Sequence, residues 1–195
     1  MDAQVRSVVV STSSPVASVG LYEGTVLVSA REERAEWAAS RASLHALDEV
    51  LEEAGWAARD VGCWIADIGP GSFTGVRVGV MLVKAIAFAL GKPVSGLSAF
   101  DLIGPTAAAI PVRRGQYLLR GLPGEEPRLV GEDDPRLAAA SGYGERFEEP
   151  VYPSAARAGQ VLAKAVTMRP EELAPAYILE PSISKPKVPY PERRT

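Results

Sequence analysis

Apolar and polar positions change period along the chain, and the change separates strands from helices. Val5 to Val10, Val16 to Tyr22 and Thr25 to Ala30 are short valine-rich runs parted by turns, the second turn being Glu23-Gly24, and they predict a twisted antiparallel unit. From Ser40 to Ala54 the spacing becomes helical. Leu44, Leu47, Val50, Leu51 and Ala54 share one face, Asp48, Glu49 and Glu52 the other, and Gly55 is placed to end the helix. Cys63 to Ala66 reads as a short buried strand, Gly69 to Gly75 as a glycine-rich turn and Val76 to Leu90 as a long apolar helix closed by Gly91. Val94 to Leu97 reads as a strand after Pro93. The order β-β-β-α-β-α-β predicts an α/β fold, a mixed sheet with helices packed on it.

After Ile103 the character shifts: 13 of the 16 prolines stand at Pro105 or later, so regular elements should be shorter there. The pattern predicts a strand at Gln116 to Gly121, an acidic loop at Glu132 to Asp134, a helix from Ser154 to Val166 and a last strand at Pro175 to Leu179. The division expected is a lobe over 1–103, a reduced second lobe over 104–180 and a disordered tail over 181–195, where Pro186, Pro189 and Pro191 interrupt Lys185, Lys187, Arg193 and Arg194.

The chain's 195 residues, 47% hydrophobic and 23% charged, suffice for a sizeable core. The N-terminus has no basic leader and no apolar run reaches the roughly 20 residues of a membrane span, so the expectation is a cytoplasmic protein without membrane contact. The net charge of −3, with no basic cluster in the body, argues against gripping nucleic acid unaided. Cys63, the single cysteine, rules out an internal disulfide framework and reads as a buried strand residue beside Trp64 and Ile65. His45 cannot build a multi-histidine metal site and reads as a solvated helix residue.

The segment Asp67-Ile68-Gly69-Pro70-Gly71-Ser72-Phe73-Thr74-Gly75-Val76-Arg77-Val78-Gly79 joins a buried strand to the apolar helix. It is not a phosphate-binding P-loop, because the first lysine is Lys84. It is not a dinucleotide fingerprint, because Gly75 falls one place late, nor a nucleophile elbow, because Pro70 and Thr74 flank Ser72 where glycines are required. What remains is a tight turn with Ser72 or Thr74 as helix cap, and an anion site at Gly69, Gly71, Ser72, Thr74 and Gly75 as the functional alternative. Gly71, Gly75 and Gly79 recur every fourth residue and leave one side bare for close approach of another backbone. Asp67 reads as an exposed carboxylate at the strand end.

The helix behind this turn is apolar on two opposed sides: Val76, Val80, Val83, Ala87 and Leu90 on one, Val78, Met81, Leu82, Ala85, Phe88 and Ala89 on the other. One side should pack on the sheet. The other is expected to meet a partner, with Leu44, Leu47, Leu51, Val78, Met81, Leu82, Ala85 and Phe88 as the interface.

Gly69-Pro70-Gly71-Ser72-Phe73-Thr74-Gly75-Val76-Arg77 resembles the Gly-Pro-Gly-Ser-Phe-Thr-Gly-Leu-Arg signature of the TsaB (YeaZ) family. Val10-Ser11-Thr12-Ser13 is similar to the family's Ile-Asp-Thr-Ser, Leu47-Asp48-Glu49-Val50-Leu51 to its first helix, and Lys84-Ala85-Ile86-Ala87 and Leu97-Ser98-Ala99 to its next helix and strand. Arg113-Arg114-Gly115-Gln116-Tyr117, Tyr152-Pro153-Ser154-Ala155 and Leu173-Ala174-Pro175-Ala176-Tyr177 resemble later family segments, so the likeness covers nearly the whole chain. It implies an actin-like ATPase (ribonuclease H-like) fold of two related lobes. It also implies a non-catalytic scaffold that needs no cofactor of its own. Its partners would be a TsaD-like catalytic subunit, bound through the helices of the first lobe, and a TsaE-like ATPase; tRNA would be met only through the complex, and the chain alone would form a homodimer. The implied role is support of threonylcarbamoyl transfer to adenosine in tRNAs reading codons that begin with A.

The departures bear on mechanism. Ser11 stands where the family has a strand-end Asp, His45 where it has a proline, Ala39 near its helix-opening histidine, and Pro111-Val112 where it has Asp-Ala. Two other readings are weighed against the scaffold: a metal-dependent glycoprotease, which needs paired histidines, and a small-molecule kinase of the same fold, which needs an acid at Ser11.

Overall fold

The computed structural model describes residues 5–34 and 38–178. The expected tail at 181–195 lies outside them. Five strands, β1 (Arg6–Ser11), β2 (Val16–Glu23), β3 (Val26–Arg34), β4 (Cys63–Asp67) and β5 (Val94–Leu97), form a sheet in the order β3-β2-β1-β4-β5. β1, β2 and β3 pair antiparallel as hairpin neighbours, while β4 and β5 join parallel to β1 after the helical crossovers α1 (Ala39–Ala54) and α2 (Phe73–Leu90).

The central strands β1 and β4 carry buried apolar runs because both faces are covered there, whereas the edge strand β3 is largely exposed. Val8 and Val10 of β1 and Trp64 and Ala66 of β4 point to the side where Ala46, Leu47 and Val50 of α1 and Val76, Val80, Val83 and Ala87 of α2 pack. Val9, Cys63 and Ile65 point to the other side, against Ala155, Ala158 and Leu162 from the end of the chain. Burial pushes the Cys63 thiol up to about 11, as befits a packing residue.

The second sheet, in the order β8-β7-β6-β9, consists of β6 (Ala108–Arg113), β7 (Gln116–Arg120), β8 (Arg128–Gly131) and β9 (Ser141–Gly142). Only β7 corresponds to a predicted strand. β6 escaped notice because Pro111 lies in it; the proline sits next to the register irregularity between Pro111 and Arg113, where the ladder is already interrupted. α3 (Ala99–Ile103) sets Phe100 and Ile103 against Ile110 and Leu118, and the Arg120 guanidinium, 4% exposed, pairs with Asp101.

Two expected elements differ. The helix over Ser154 to Val166 is instead a 3₁₀ turn at Ala155–Arg157 followed by the short α4 (Gly159–Leu162). The Ala155 carbonyl, which a continuous helix would offer to the Gly159 amide, accepts from the Tyr22 hydroxyl at 2.6 Å, and the Ala155 amide donates to the Ser18 hydroxyl at 2.8 Å, so β2 anchors this turn. No strand forms at Pro175 to Leu179 as far as residue 178; there the Ala176 amide makes one bond, to the Ile68 carbonyl at 2.8 Å. α2 also begins three residues earlier than expected. By length and composition alone the 18-residue α2 is apolar enough to cross a membrane; 33% of it is buried, with Gly75, Val76, Gly79, Val80, Val83 and Ala87 facing inward.

The glycine spacing has a direct structural counterpart. A Cβ on Gly75 would stand 2.1 Å from the Thr12 carbonyl oxygen, on Gly71 2.2 Å from the Ser13 carbonyl oxygen, and on Gly79 2.5 Å from the Thr12 hydroxyl. The bare side of α2 is therefore where the chain leaving β1 lies against it. Gly75→Ala is expected to cost about 1–3 kcal/mol in urea unfolding, because two backbones must separate. Gly131→Ala, where nothing lies within 4 Å of the added methyl group, should stay within about 0.5 kcal/mol.

Candidate functional site

The ends of β1 and β4 and the glycine turn converge on Asp67. Its side chain is not the exposed carboxylate expected from the sequence: the residue is 1% exposed. One carboxylate oxygen accepts from the Ser11 hydroxyl at 2.6 Å and the Ser13 hydroxyl at 2.5 Å; the other accepts from the Gly69 amide at 2.8 Å. The cluster was missed because its two hydroxyls lie 56 and 54 residues away in sequence, and only the parallel pairing of β1 with β4 brings them there. Ser11, which departs from the family pattern, thus has a defined role: it supplies a donor to the neighbouring strand's acid. Burial pushes the Asp67 carboxyl up to about 6, while the bonds from Ser11, Ser13 and Gly69 pull it down.

The turn itself is locked. The Ser72 amide donates to the Ser13 carbonyl at 2.7 Å, the Thr12 hydroxyl donates to the Gly75 carbonyl at 2.7 Å, and the Ser72 hydroxyl caps α2 by accepting from the Gly75 amide at 3.2 Å. Of the five residues considered as an anion site, Gly69, Ser72 and Gly75 have committed their amides to acceptors within the protein, and Thr74 is exposed beside them. An anion held by the Gly69, Ser72 or Gly75 amide would have to displace a bond already made. Ser72, rather than Thr74, is the cap.

Sequence and structure also meet on α2. Met81 and Phe88 are 60% and 68% exposed, Ala85 is exposed and Val78 half-buried, which places these four residues on an outward stripe. Leu82 is half-buried against the first core cluster. On α1, Leu44 is 45% exposed and Leu51 half-buried, but Leu47, expected at the interface, is a correction: it is 4% exposed and packs in the core beside Ala46 and Val50. Leu47 lies at the edge of the apolar face nearest Ala46 and Val50 and packs with them, while Leu44 lies at the solvent edge.

The remaining polar candidates are plain. His45 stands on the outer face of α1 with its Nδ1 3.5 Å from Glu33 and 3.7 Å from Glu49. Among the described residues no group of three or more His, Cys, Asp and Glu side chains is arranged to hold a metal ion.

The Asp67 cluster gives stability a definite pH dependence. A carboxyl raised from 3.8 to about 6 on folding contributes stability that is fully present below the unfolded value and is lost as pH rises through about 6. The span corresponds to about 3 kcal/mol at most. Melting curves from pH 4 to pH 8 should show wild type losing stability relative to Asp67→Asn between about pH 4 and pH 6 and running parallel to it above that. Curves parallel over the whole range would show that Asp67 titrates as an ordinary acid.

Comparison with known proteins agrees with this geometry. A family model described as TsaD, tRNA N6-adenosine threonylcarbamoyltransferase, matches residues 33–109. The tRNA threonylcarbamoyladenosine biosynthesis protein TsaB of Bacillus subtilis is 32% identical over 82 residues, 38% of this chain and 36% of that protein. The tRNA N6-adenosine threonylcarbamoyltransferase of Rhizobium meliloti is 33% identical over 121 residues, 57% of this chain and 34% of that protein. The chain therefore spans about a third of the length of these curated relatives. Among solved structures, an uncharacterized Pseudomonas aeruginosa protein with similarity to the peptidase YEAZ superposes with a TM-score of 0.69 and 26% identity, over 90% of this chain and 100% of that one. YeaZ from Pseudomonas aeruginosa, with a TM-score of 0.68 at 22% identity, shares the fold over 89% of this chain. The two mixed sheets are consistent with the lobes of an actin-like ATPase, and the chain is similar to TsaB/YeaZ proteins and, over residues 33–109, to the TsaD family.

Proposed function

We propose that this protein is a non-catalytic subunit of the cytoplasmic machinery that transfers threonylcarbamoyl to adenosine of tRNAs reading codons that begin with A. The observation that carries the reading is the outward stripe of α2, where Val78, Met81, Ala85 and Phe88 leave apolar surface that the described residues do not cover. In this reading the stripe, flanked by Leu44 of α1, docks a TsaD-like catalytic subunit, and a TsaE-like ATPase joins the assembly. In the absence of that partner the same stripe supports a homodimer, because a self-complementary apolar patch closes on a two-fold axis. The net charge of −3 favours meeting tRNA through the complex rather than alone. The names of the TsaB and TsaD relatives, each matched over about a third of its length, supply the direction of this reading.

Two measurements test it. Met81→Glu and Phe88→Glu should each lower co-purification of the organism's TsaD-like subunit by about tenfold or more, since a charge would be buried in an apolar contact. Undiminished association would remove the interface. Depleting the protein should deplete threonylcarbamoyladenosine in bulk tRNA, and a normal level would remove the role.

A further inference from the structure

α2 is gripped on the flank opposite α1 by the last part of the described chain. The Met168 and Val94 backbones exchange hydrogen bonds at 2.8 and 2.9 Å, which returns residues 167–178 to the first sheet. Leu173, 2% exposed, enters the core beside Val76 and Val80. The Lys84 ammonium then donates to the Leu173 carbonyl at 2.9 Å and the Glu171 carbonyl at 3.3 Å. Farther on, Tyr177 lays its ring on Phe73 at 5.4 Å, and the Arg77 guanidinium sits 4.3 Å from the centre of the same Phe73 ring.

These fixings are unequal. Leu173 is a core plug, but Lys84 is only half-buried and Tyr177 is 49% exposed. Between Phe88, Gly91 and Lys92 at the end of α2 and the stretch from Met168 to Glu172, the strap stands off the helix and leaves a cleft of about 660 Å³. Lys84 follows Met81 by three residues and precedes Phe88 by four, so the catch stands at the border of the outward stripe. At the other end, Tyr177 and Arg77 cover part of the Phe73 ring, which remains 42% exposed and extends the stripe toward the start of α2.

We propose that residues 167–178 form a releasable clasp, with Lys84 as its polar catch, that sets how much of α2 a protein partner can reach. Closed, the clasp leaves Val78, Met81, Ala85, Phe88 and only part of the Phe73 ring, 42% exposed, within reach. Open, it adds the part of that ring that Tyr177 covers. The proposal rests on the reading of that stripe as the partner surface.

Lys84→Met keeps the aliphatic stem and removes the catch. Hydrogen exchange on the full chain should quicken by about tenfold at Met168, Leu173 and Ala176, while the amides of β1 and β4 keep wild-type rates. Affinity for the catalytic subunit should rise by about threefold as the covered part of the Phe73 ring becomes reachable. Tyr177→Ala, which uncovers Phe73 without touching α2, should raise affinity in the same direction, and Arg59→Met, a surface cation removed elsewhere, should change neither readout. Unchanged exchange in Lys84→Met overturns the catch. Faster exchange with unchanged affinity overturns the gating while leaving the partner surface standing. If neither wild type nor variant binds the catalytic subunit, the partner surface falls, and the gating falls with it.

Discussion

The closest constraint in this structure is the contact between the chain leaving β1 and the start of α2. Carbonyls of Thr12 and Ser13 lie where side chains on Gly75 and Gly71 would have to be, and the Thr12 hydroxyl lies where one on Gly79 would be. Only a helix bare at every fourth position tolerates this, and the tolerance has consequences on both sides. Toward the sheet, it sets Ser11 and Ser13 over the end of β4, where they reach Asp67. Toward solvent, it fixes the rotation of α2. With Gly75 and Gly79 against the strand tip and Val80, Val83 and Ala87 in the core, Met81, Ala85 and Phe88 can only point outward.

The rest of the chain is arranged around that rotation. α1 and α2 share one face of the first sheet, and residues of the second half, Ala155, Ala158 and Leu162, cover the other. The second sheet packs on α3 and makes its own smaller clusters around Phe100, Ile110 and Leu118, and around Tyr117, Leu119 and Leu137. The end of the described chain then comes back to the first core through Met168 and Leu173. Sequence order and spatial lobe therefore part company in the second half of the molecule.

This explains what was legible in the sequence and what was not. β1, β2, β4, β5, α1 and the body of α2 were readable because each carries its burial pattern within a single element: apolar runs buried on both faces, or helical spacing. The glycine spacing correctly announced a close backbone approach, though not its partner. β6 was hidden by Pro111, and the broken helix after Ser154 by two long-range bonds from β2 to Ala155. Asp67 was misread for the same reason, since its partners are distant in sequence. Leu47 was misassigned because a helical stripe wide enough to include both Leu44 and Leu47 spans the boundary between core and surface.

Ser11 is the residue through which these observations connect. Two carboxylates at the adjoining ends of β1 and β4 would repel one another at close range and raise the cost of burying both. A serine there converts that repulsion into a hydrogen bond, and with Ser13 and the Gly69 amide it meets the Asp67 carboxylate from within the chain. The same accounting holds along the turn, where the Ser72 and Gly75 amides have their own acceptors. The strand ends are thus internally satisfied, whereas α2 exposes Met81 and Phe88 by more than half their surface. Polar groups that are already paired have little to gain from a ligand, and exposed apolar groups have desolvation to gain from a protein. Exposed apolar surface of this kind lies on the outer side of α2, as it does at Val26, Leu27 and Val28 of β3, and the glycine turn holds α2 in the rotation that presents it.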